Sequence, residues 1–417
     1  MTRNDFPKNF LWGAATASFQ IEGSPEGDGR GNCIWDTFCS TPGKVQDGDT
    51  GKLACDHYRR YQEDVELMAE LGIKTYRFSL AWSRVLPDGY GAVNQKGIDF
   101  YKRLIDALLT KNIQPAVTLY HWDLPQRLQD AGGWASRDTC EYFRDYANLA
   151  FEHFGDKVPF WYTHNEPWCV AFAGNLQGRH APGNQNLGTA VAVSHHLLLS
   201  HGMAVDAYRT SKAKGGNIGI VLNLYPTVPA SLHEADKAAA DLSDKYQNRW
   251  FLDPLYRGAY PADLRRDFEK AGAPVPEKPG DLSYIAEQKT DFLGVNYYFR
   301  KILRAATQDE CARGRTPHPT LPIVEVIPEN VRLTDMGWEV YPQGLTDLLK
   351  RLKADYEDPR IVITENGVAC SDTALVKNQP YAVDDEDRRS FIEEHLAASL
   401  KAIEEGVQLT GYYVWSL

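Results

Sequence analysis

The stretch FWYTHNEPW, residues 160–168, runs from aromatic and β-branched side chains into a polar group that ends at a proline. Such a run predicts a buried strand that ends in a loop, and it places Glu166 at the mouth of that strand. A second stretch, IVITENG at residues 361–367, has the same arrangement, with an apolar run followed by Glu365 and a glycine turn. The two stretches predict a fold in which buried strands deliver carboxylates at their ends.

Segments with strand character alternate with segments of helical spacing along the rest of the chain. The eight predicted strands cover residues 10–16, 74–82, 114–122, 160–166, 217–223, 291–299, 361–365 and 409–417. Helical spacing lies between them, with a looser helical region at 242–271, whereas residues 304–335 are rich in proline and charge and predict a long irregular loop. This alternation without a linker predicts an α/β fold, a (β/α)8 TIM barrel formed by residues 1–417 as a single catalytic domain.

A doubly wound sheet is the alternative α/β architecture. A nucleotide-binding fold of that kind carries a glycine-rich phosphate turn after its first strand. Residues 13–17, GAATA, match that turn poorly, and GDGRG at residues 27–31 lies in a loop that no predicted strand enters. The barrel is therefore favoured.

Composition and charge exclude several classes of partner. The formal net charge of −11 disfavours binding to nucleic acid or to an anionic membrane. The seven cysteines contain no CxxC pair and predict reduced thiols, while neither a signal segment nor an apolar run of membrane-spanning length is present. We therefore predict a cytoplasmic protein with no nucleic-acid or membrane partner and with no metal or cofactor.

Polar and aromatic side chains collect at the predicted strand ends, which meet over one mouth in a barrel. These residues are Gln20, Arg77, His121, Trp122, Asn165, Glu166, Asn223, Asn296, Tyr298, Glu365 and Trp415. Amide, imidazole and hydroxyl groups suit the hydroxyls of a sugar, an indole suits its C–H face, and a pair of carboxylates suits cleavage of a glycosidic bond. By contrast, Trp12, Trp35, Trp82 and Trp161 are expected in the core, and strand alternation makes His164 a packing residue that points away from the neighbouring Asn165.

Six motifs together make the sequence resemble family 1 glycoside hydrolases, the β-glucosidase and β-galactosidase family. They are WGAATASFQIEG at 12–23, YRFS at 76–79, YHWDLP at 120–125, NEPW at 165–168, NYY at 296–298 and ITENG at 363–367. The resemblance implies a retaining β-glycosidase that acts on β-D-glucosides, with β-galactosides or β-fucosides as further substrates. Its partner would be a small-molecule or oligosaccharide β-glycoside.

The resemblance also implies roles for particular residues. Glu166 would be the general acid/base and Glu365 the nucleophile, supported by Arg77, Asn296 and Tyr298. The substrate-binding residues would be Gln20, His121, Trp122, Asn165, Trp168, Trp338 and Trp415, with Trp415 under the glycone and the loop at 304–335 on the aglycone side.

Carboxylate chemistry is consistent with that division of roles. In retaining enzymes the two carboxyl groups lie about 5–5.5 Å apart. The charge of an ionised Glu365 would keep Glu166 protonated until the glycosyl-enzyme forms, and loss of that charge would then let Glu166 act as a base toward water.

One departure from the family pattern concerns the end of the sequence. Family members continue beyond the eighth strand with a further loop and a last helix, so we expect an apparently truncated barrel, a weakened glycone site, impaired turnover and self-association through the uncovered surface. A 6-phospho-β-glycosidase and a non-catalytic barrel that binds sugars or a protein are the alternative functions.

Overall fold

Eight short apolar stretches form the strands of a closed parallel barrel. The computed structural model describes residues 2–24, 27–213, 215–312, 322–371 and 383–417, without the side chains of residues 311 and 312. The strands run in the order β1-β11-β10-β7-β5-β4-β3-β2 around the barrel. Their bounds, with those of three shorter strands outside the barrel, are β1 Leu11–Ala15, β2 Thr75–Ser79, β3 Gln114–Tyr120, β4 Phe160–Asn165, β5 Asn217–Asn223, β6 Thr227–Pro229, β7 Phe292–Asn296, β8 Lys301–Ala305, β9 Ile323–Glu325, β10 Ile361–Asn366 and β11 Leu409–Trp415.

Helices follow most of the barrel strands. Every residue of β2, β4, β7 and β10 is buried, as expected of parallel strands covered on both faces. The α-helices are α1 Ser18–Ile21, α2 Ile34–Cys39, α3 His57–Glu70, α4 Trp82–Val85, α5 Gln95–Thr110, α6 Gln126–Asp130, α7 Asp138–Phe154, α8 Leu187–Thr210, α9 Glu234–Asp244, α10 Trp250–Arg257, α11 Ala262–Lys270, α12 Asp281–Glu287, α13 Gln308–Ala312, α14 Pro342–Asp355 and α15 Glu386–Glu404.

The barrel predicted from the alternation of strands and helices is confirmed, and all eight predicted strands are present. Most of them end a few residues earlier than predicted. The predicted strand at 74–82, for example, ends at Ser79, because Trp82 already begins α4. The looser helical region at 242–271 contains the end of α9, a π-helical turn, α10 with Pro254 inside it, and α11.

The prediction of an irregular loop over residues 304–335 is wrong in part. Strand β8 pairs in parallel with β6 and in antiparallel fashion with β9, and the three form a small separate sheet. Strands of three to five residues with half-exposed side chains are too short to show a period of two in the sequence. Residues 313–321 of this prediction lie outside the described residues.

The contacts within the chain divide it into two compact units. The Glu166 unit comprises Leu11–Leu222, Trp250–Gly294 and Leu417, and the Glu365 unit comprises Asn223–Arg249, Val295–Ser416 and the residues up to Phe10. The single-domain assignment of residues 1–417 therefore stays a prediction.

Each unit has its own apolar core. In the Glu166 unit the fully buried Trp82 stacks on Tyr146 at 4.9 Å between ring centroids. In the Glu365 unit α14 packs its buried leucines against α15, and the Thr346 hydroxyl donates a hydrogen bond to the Ala398 carbonyl at 2.8 Å. No helix of the described residues is long and apolar enough to cross a membrane.

Candidate active site

The backbone around Glu166 turns sharply where β4 ends. Glu166 has a left-handed conformation with φ of +48°, and its N–H donates to the Val221 carbonyl at 2.9 Å. The pairing of β4 with β5 shifts register between Tyr162 and Asn165, and an irregularity of this kind can redirect a side chain. The Glu166 side chain is 6% exposed. A non-glycine residue with positive φ is uncommon and is most often retained where function requires it.

A thiol contacts the Glu166 carboxylate. Cys169 Sγ donates to Glu166 Oε2 at 3.1 Å, and the Cys169 N–H donates to the Glu166 carbonyl at 2.9 Å. Cys169 begins the π-helical turn Cys169–Ala173, and such turns are frequent at functional sites. The sequence analysis missed this residue. The signal that could have found it is the spacing of three residues, which brings two side chains together in a helical turn.

Asn165 is the centre of a buried network beside Glu166. Arg77 Nη2 donates to Asn165 Oδ1 at 2.7 Å, and Trp122 Nε1 donates to the Asn165 carbonyl at 2.8 Å. The Asn165 amide nitrogen lies 3.3 Å from His121 Nε2, which must therefore accept. Burial and then the charge of Arg77 lower the pKa of His121 well below its usual value, so the imidazole is neutral and able to accept. Four of the predicted site residues are thus joined by hydrogen bonds.

Glu365 lies at the end of β10 in a similarly buried position, 3% exposed. The Tyr298 hydroxyl donates to Glu365 Oε2 at 2.7 Å, and the Tyr297 N–H donates to the Glu365 carbonyl at 3.0 Å. On the preceding residue the Thr364 hydroxyl donates to Asn296 Oδ1 at 2.7 Å. The contact between Tyr298 and Glu365 is the one that the family resemblance implies.

Gly367 allows β10 and β11 to approach closely just beyond Glu365. A Cβ atom at this position would overlap the Trp415 carbonyl. Both ends of the side-chain amide of the neighbouring Asn366 are hydrogen-bonded. Its Nδ2 donates to the Tyr297 carbonyl at 2.7 Å, and its Oδ1 accepts from the Tyr412 hydroxyl. These contacts together fix where β10 ends.

The other predicted site residues have different surroundings. Gln20 lies in α1 rather than at the end of a strand and is exposed. Trp168 is only 7% exposed and packs between Phe172 and the Arg179 guanidinium. The remaining two, Trp338 and Trp415, belong to the Glu365 unit.

Those two tryptophans are half-buried. Trp338 lies 5.5 Å from the Tyr298 ring and 4.9 Å from the Phe299 ring. Trp415 is the last residue of β11. Each therefore leaves part of its indole open to a ligand.

Predictions about packing residues are confirmed in most cases. His164 Nε2 lies 2.9 Å from the Ser200 hydroxyl on α8, and its ring stacks on Phe143, so it is a packing histidine. Trp82 and Trp161 are fully buried. Trp12 on β1 and Trp35 on α2 are not core residues, because both are partly exposed.

The described residues contain no cluster of three or more His, Cys, Asp or Glu side chains arranged to hold a metal ion. The six described cysteines are free thiols.

Comparison with known proteins defines the class. The sequence model of the family described as Glycosyl hydrolase family 1 matches residues 2–417. The chain therefore belongs to glycosyl hydrolase family 1, and both the family and the enzyme class predicted from the motifs are confirmed.

Individual members of the family match almost the whole chain. Beta-glucosidase A of Acetivibrio thermocellus is 46% identical over 417 residues, which are 100% of this chain and 90% of that protein. The 1,4-beta-D-glucan glucohydrolase of Thermotoga neapolitana is 45% identical over 413 residues, 99% of this chain and 93% of that protein. The structure described as a family 1 b-glucosidase from Thermotoga maritima superposes with a TM-score of 0.91 at 45% identity, covering 99% of this chain and 89% of that one.

Proposed function

We propose that this protein is a retaining β-glycosidase that hydrolyses β-D-glucosides by double displacement. The observation that carries the proposal is that two buried carboxylates, Glu166 and Glu365, each end a strand of the same closed parallel barrel and each accept a hydrogen bond from a neighbouring side chain. Two carboxyl groups are the catalytic requirement of glycoside hydrolysis. Relatives named β-glucosidase at 46% identity support glucosides as the substrates.

In the first displacement Glu365 acts as the nucleophile. The hydrogen bond from Tyr298 stabilises its ionised form. A Glu365 oxygen forms a bond to the anomeric carbon as the bond to the leaving oxygen breaks, and that oxygen takes the proton of Glu166. In the second displacement Glu166 removes a proton from water, which attacks the anomeric carbon and releases Glu365. Two inversions give net retention of configuration.

The neighbouring residues would bind the sugar. Arg77 and His121 hold the side chain of Asn165, so that its amide has a fixed orientation toward the hydroxyl beside the reacting carbon. Gln20, His121 and Trp122 would bind the other glycone hydroxyls. Trp415 would stack under the ring, Trp168 and Trp338 would flank the leaving group, and Asn296 would lie near the acid/base.

We also propose that the protein is cytoplasmic, because free thiols are typical of reducing compartments. A small-molecule or oligosaccharide glycoside is its proposed partner. Self-association stays a prediction.

Substitution of Glu166 and Glu365, followed by rescue of the variants with added azide, tests the proposal. We expect Glu166→Gln and Glu365→Gln each to lower the hydrolysis of an aryl β-glucoside by about 10²–10⁴-fold or more. The matched control is Glu325→Gln, a carboxylate of the small sheet, which should retain wild-type activity.

Azide then separates the two roles. With Glu166→Ala it should attack the glycosyl-enzyme and give the β-glucosyl azide, whereas with Glu365→Ala it should attack the substrate directly and give the α-anomer. Retained activity in either variant, or the same anomer from both, would contradict the assignment. Wild-type hydrolysis of 6-phosphoglucosides alone would favour the phospho-glycosidase, and hydrolysis of neither substrate the non-catalytic barrel.

A further inference from the structure

A buried carboxyl group with no part in the proposed chemistry follows His121 and Trp122 in the chain. Asp123 is 1% exposed and belongs to the Glu166 unit. Its Oδ2 accepts a hydrogen bond from the Ser18 hydroxyl at 3.1 Å, whereas its Oδ1 is buried and accepts none from any other described residue. Buried polar atoms are normally hydrogen-bonded, so an oxygen without a partner at this position requires an explanation.

Ionised Asp123 lowers the stability of the folded protein. Burial raises the pKa of Asp123 to about 7, and the Arg30 charge opposes that shift. Because this pKa is higher in the folded than in the unfolded chain, the fold loses stability as the pH rises from the usual carboxyl pKa toward 7. The other charged or titratable side chains that act on Asp123 are Glu22, Cys33, Tyr120 and Tyr146. A contribution to stability therefore does not explain Asp123.

Helix α1 depends on the contact with Asp123. The helix has four residues, of which only Ser18 is buried, and a single helical turn is not stable by itself. The Ser18 N–H donates to Ser79 Oγ at 2.8 Å, and the Ser79 hydroxyl donates to Ser18 Oγ at 3.0 Å. Ser79 is the last residue of β2. The two serines and Asp123 thus hold α1 against the end of a barrel strand.

The segment that carries Asp123 is fixed by its own backbone. The Ile34 N–H donates to the Leu124 carbonyl at 2.9 Å, and the Gln126 N–H donates to the Asn32 carbonyl at 2.9 Å. These hydrogen bonds hold the chain directly after Asp123. Its carboxylate is therefore a fixed acceptor for Ser18.

We propose that Asp123 is a positioning residue that acts through Ser18 to hold α1, and with it the Gln20 side chain, where Gln20 binds a hydroxyl of the glycone. The proposal rests on the proposed function, in which Gln20 is a glycone ligand, and adds a residue to it. Gln20 follows Ser18 in the same helical turn and is exposed, so its own surroundings support it little. A carboxylate accepts a stronger hydrogen bond than a neutral group does, which explains a charge where it costs stability.

Substitution of Asp123 separates positioning from stability. Asp123→Asn keeps the shape and a weaker acceptor, so KM for 4-nitrophenyl β-D-glucoside should rise about threefold, with a smaller effect on kcat. Asp123→Ala removes the acceptor and should raise KM about tenfold. At pH 8 Asp123→Asn should be at least as stable to thermal unfolding as the wild type, because it removes the cost of a buried charge.

The matched control is Asp281→Asn, because Asp281 is also a buried carboxylate of the Glu166 unit. Its oxygens accept from Arg137 at 2.8 and 2.6 Å, and one of them lies 3.0 Å from His195 Nε2. This variant should be less stable, yet its KM should change by less than about twofold. An equal rise of KM in the control would overturn the positioning role. So would a loss of stability in Asp123→Asn that parallels its loss of affinity.

A double variant tests the route through Gln20. In a Gln20→Ala background, Asp123→Ala should raise KM by less than about a further twofold, because the side chain that it positions is already absent. Full additivity of the two substitutions would overturn the route.

Binding without turnover distinguishes this proposal from the proposed function. In a Glu166→Gln background, calorimetric titration with cellobiose should show a Kd about tenfold higher when Asp123→Ala is added. An unchanged Kd would overturn the role of Asp123 while leaving the proposed function intact. A wild-type protein that hydrolyses no glucoside, with a Kd that still rises in this way, would overturn the proposed function and leave the positioning role.

Discussion

Glu166 and Glu365 differ in the group that donates to each of them. A thiol at 3.1 Å contacts Glu166, and a phenol at 2.7 Å contacts Glu365. A thiol is a weak hydrogen-bond donor, so it stabilises the ionised carboxylate less than the phenol does. The ionised form is therefore stabilised more at Glu365 than at Glu166. The proposed roles require this order, because the acid Glu166 must carry a proton while the nucleophile Glu365 must be ionised.

The contact between Cys169 and Glu166 leads to a prediction about pH dependence. In Cys169→Val the carboxylate loses a donor, its ionised form becomes less favourable, and the pKa of the general acid rises. The alkaline limb of kcat/KM against pH should therefore move to higher pH. Cys169→Ser keeps a donor at the same place and should move that limb little or downward.

If Cys169 only packs against its neighbours, the pH profiles of its variants should differ from this prediction. In that case Cys169→Val would alter thermal stability or kcat at all pH values without moving the limb. A limb that moves equally in the valine and serine variants would also contradict the interpretation.

Individual residues were predictable where a motif or a strand end marks them. Asn165, Glu166 and Glu365 follow apolar runs, and the change from apolar to polar side chains signals the end of a buried strand. The contacts of Cys169 and the exposure of Trp35 were not predictable, because they depend on the direction of a turn and on which face of a six-residue helix is buried.

At the scale of elements, the carboxylates depend on how the strands end. Strand β10 comes close to β11 at Gly367, where a Cβ would overlap the backbone oxygen of Trp415. Such a clash cannot be relieved by rotating a side chain, so the ends of the two strands would have to separate. Glu365 lies two residues before this point and would move with its strand.

Gly367→Ala should therefore lower both stability and activity. We expect a loss of about 1–3 kcal/mol in the free energy of unfolding, as for overpacked cores, and a decrease in kcat for an aryl glucoside. Urea unfolding monitored by circular dichroism measures the first quantity. Gly215→Ala is the control, since a Cβ there meets no atom within 4 Å. Equal stabilities of the two variants would show that the close approach of β10 and β11 is not required.

Elements were predictable in proportion to their length and burial. The barrel strands are continuous apolar runs, so they were found with small errors at their ends. The sheet of β6, β8 and β9 was missed because its strands have only three to five residues and because β6 and β8 pair across more than seventy residues, which no local pattern encodes. The small sheet also shows that a segment rich in proline and charge can contain strands.

At the scale of the whole molecule, both the barrel and the family were predicted from the sequence. Eight strands with intervening helices leave few architectures, and the motifs at residues 165–168 and 363–367 select among them. The sequence cannot indicate that the rings of Trp122, His180, Trp35 and Phe19 lie next to one another, since these residues come from four separate segments of the chain.

The central claim of the proposed function is that Glu365 forms the covalent intermediate and that Glu166 is the acid/base. The most direct measurement is the mass of the intact protein after reaction with an activated 2-deoxy-2-fluoroglucoside, followed by peptide mapping. The account predicts one fluoroglucosyl group per chain, on the peptide that contains Glu365, with no label in Glu365→Gln. An unlabelled protein that still hydrolyses glucosides, or a label on Glu166 or on any other residue, would contradict it.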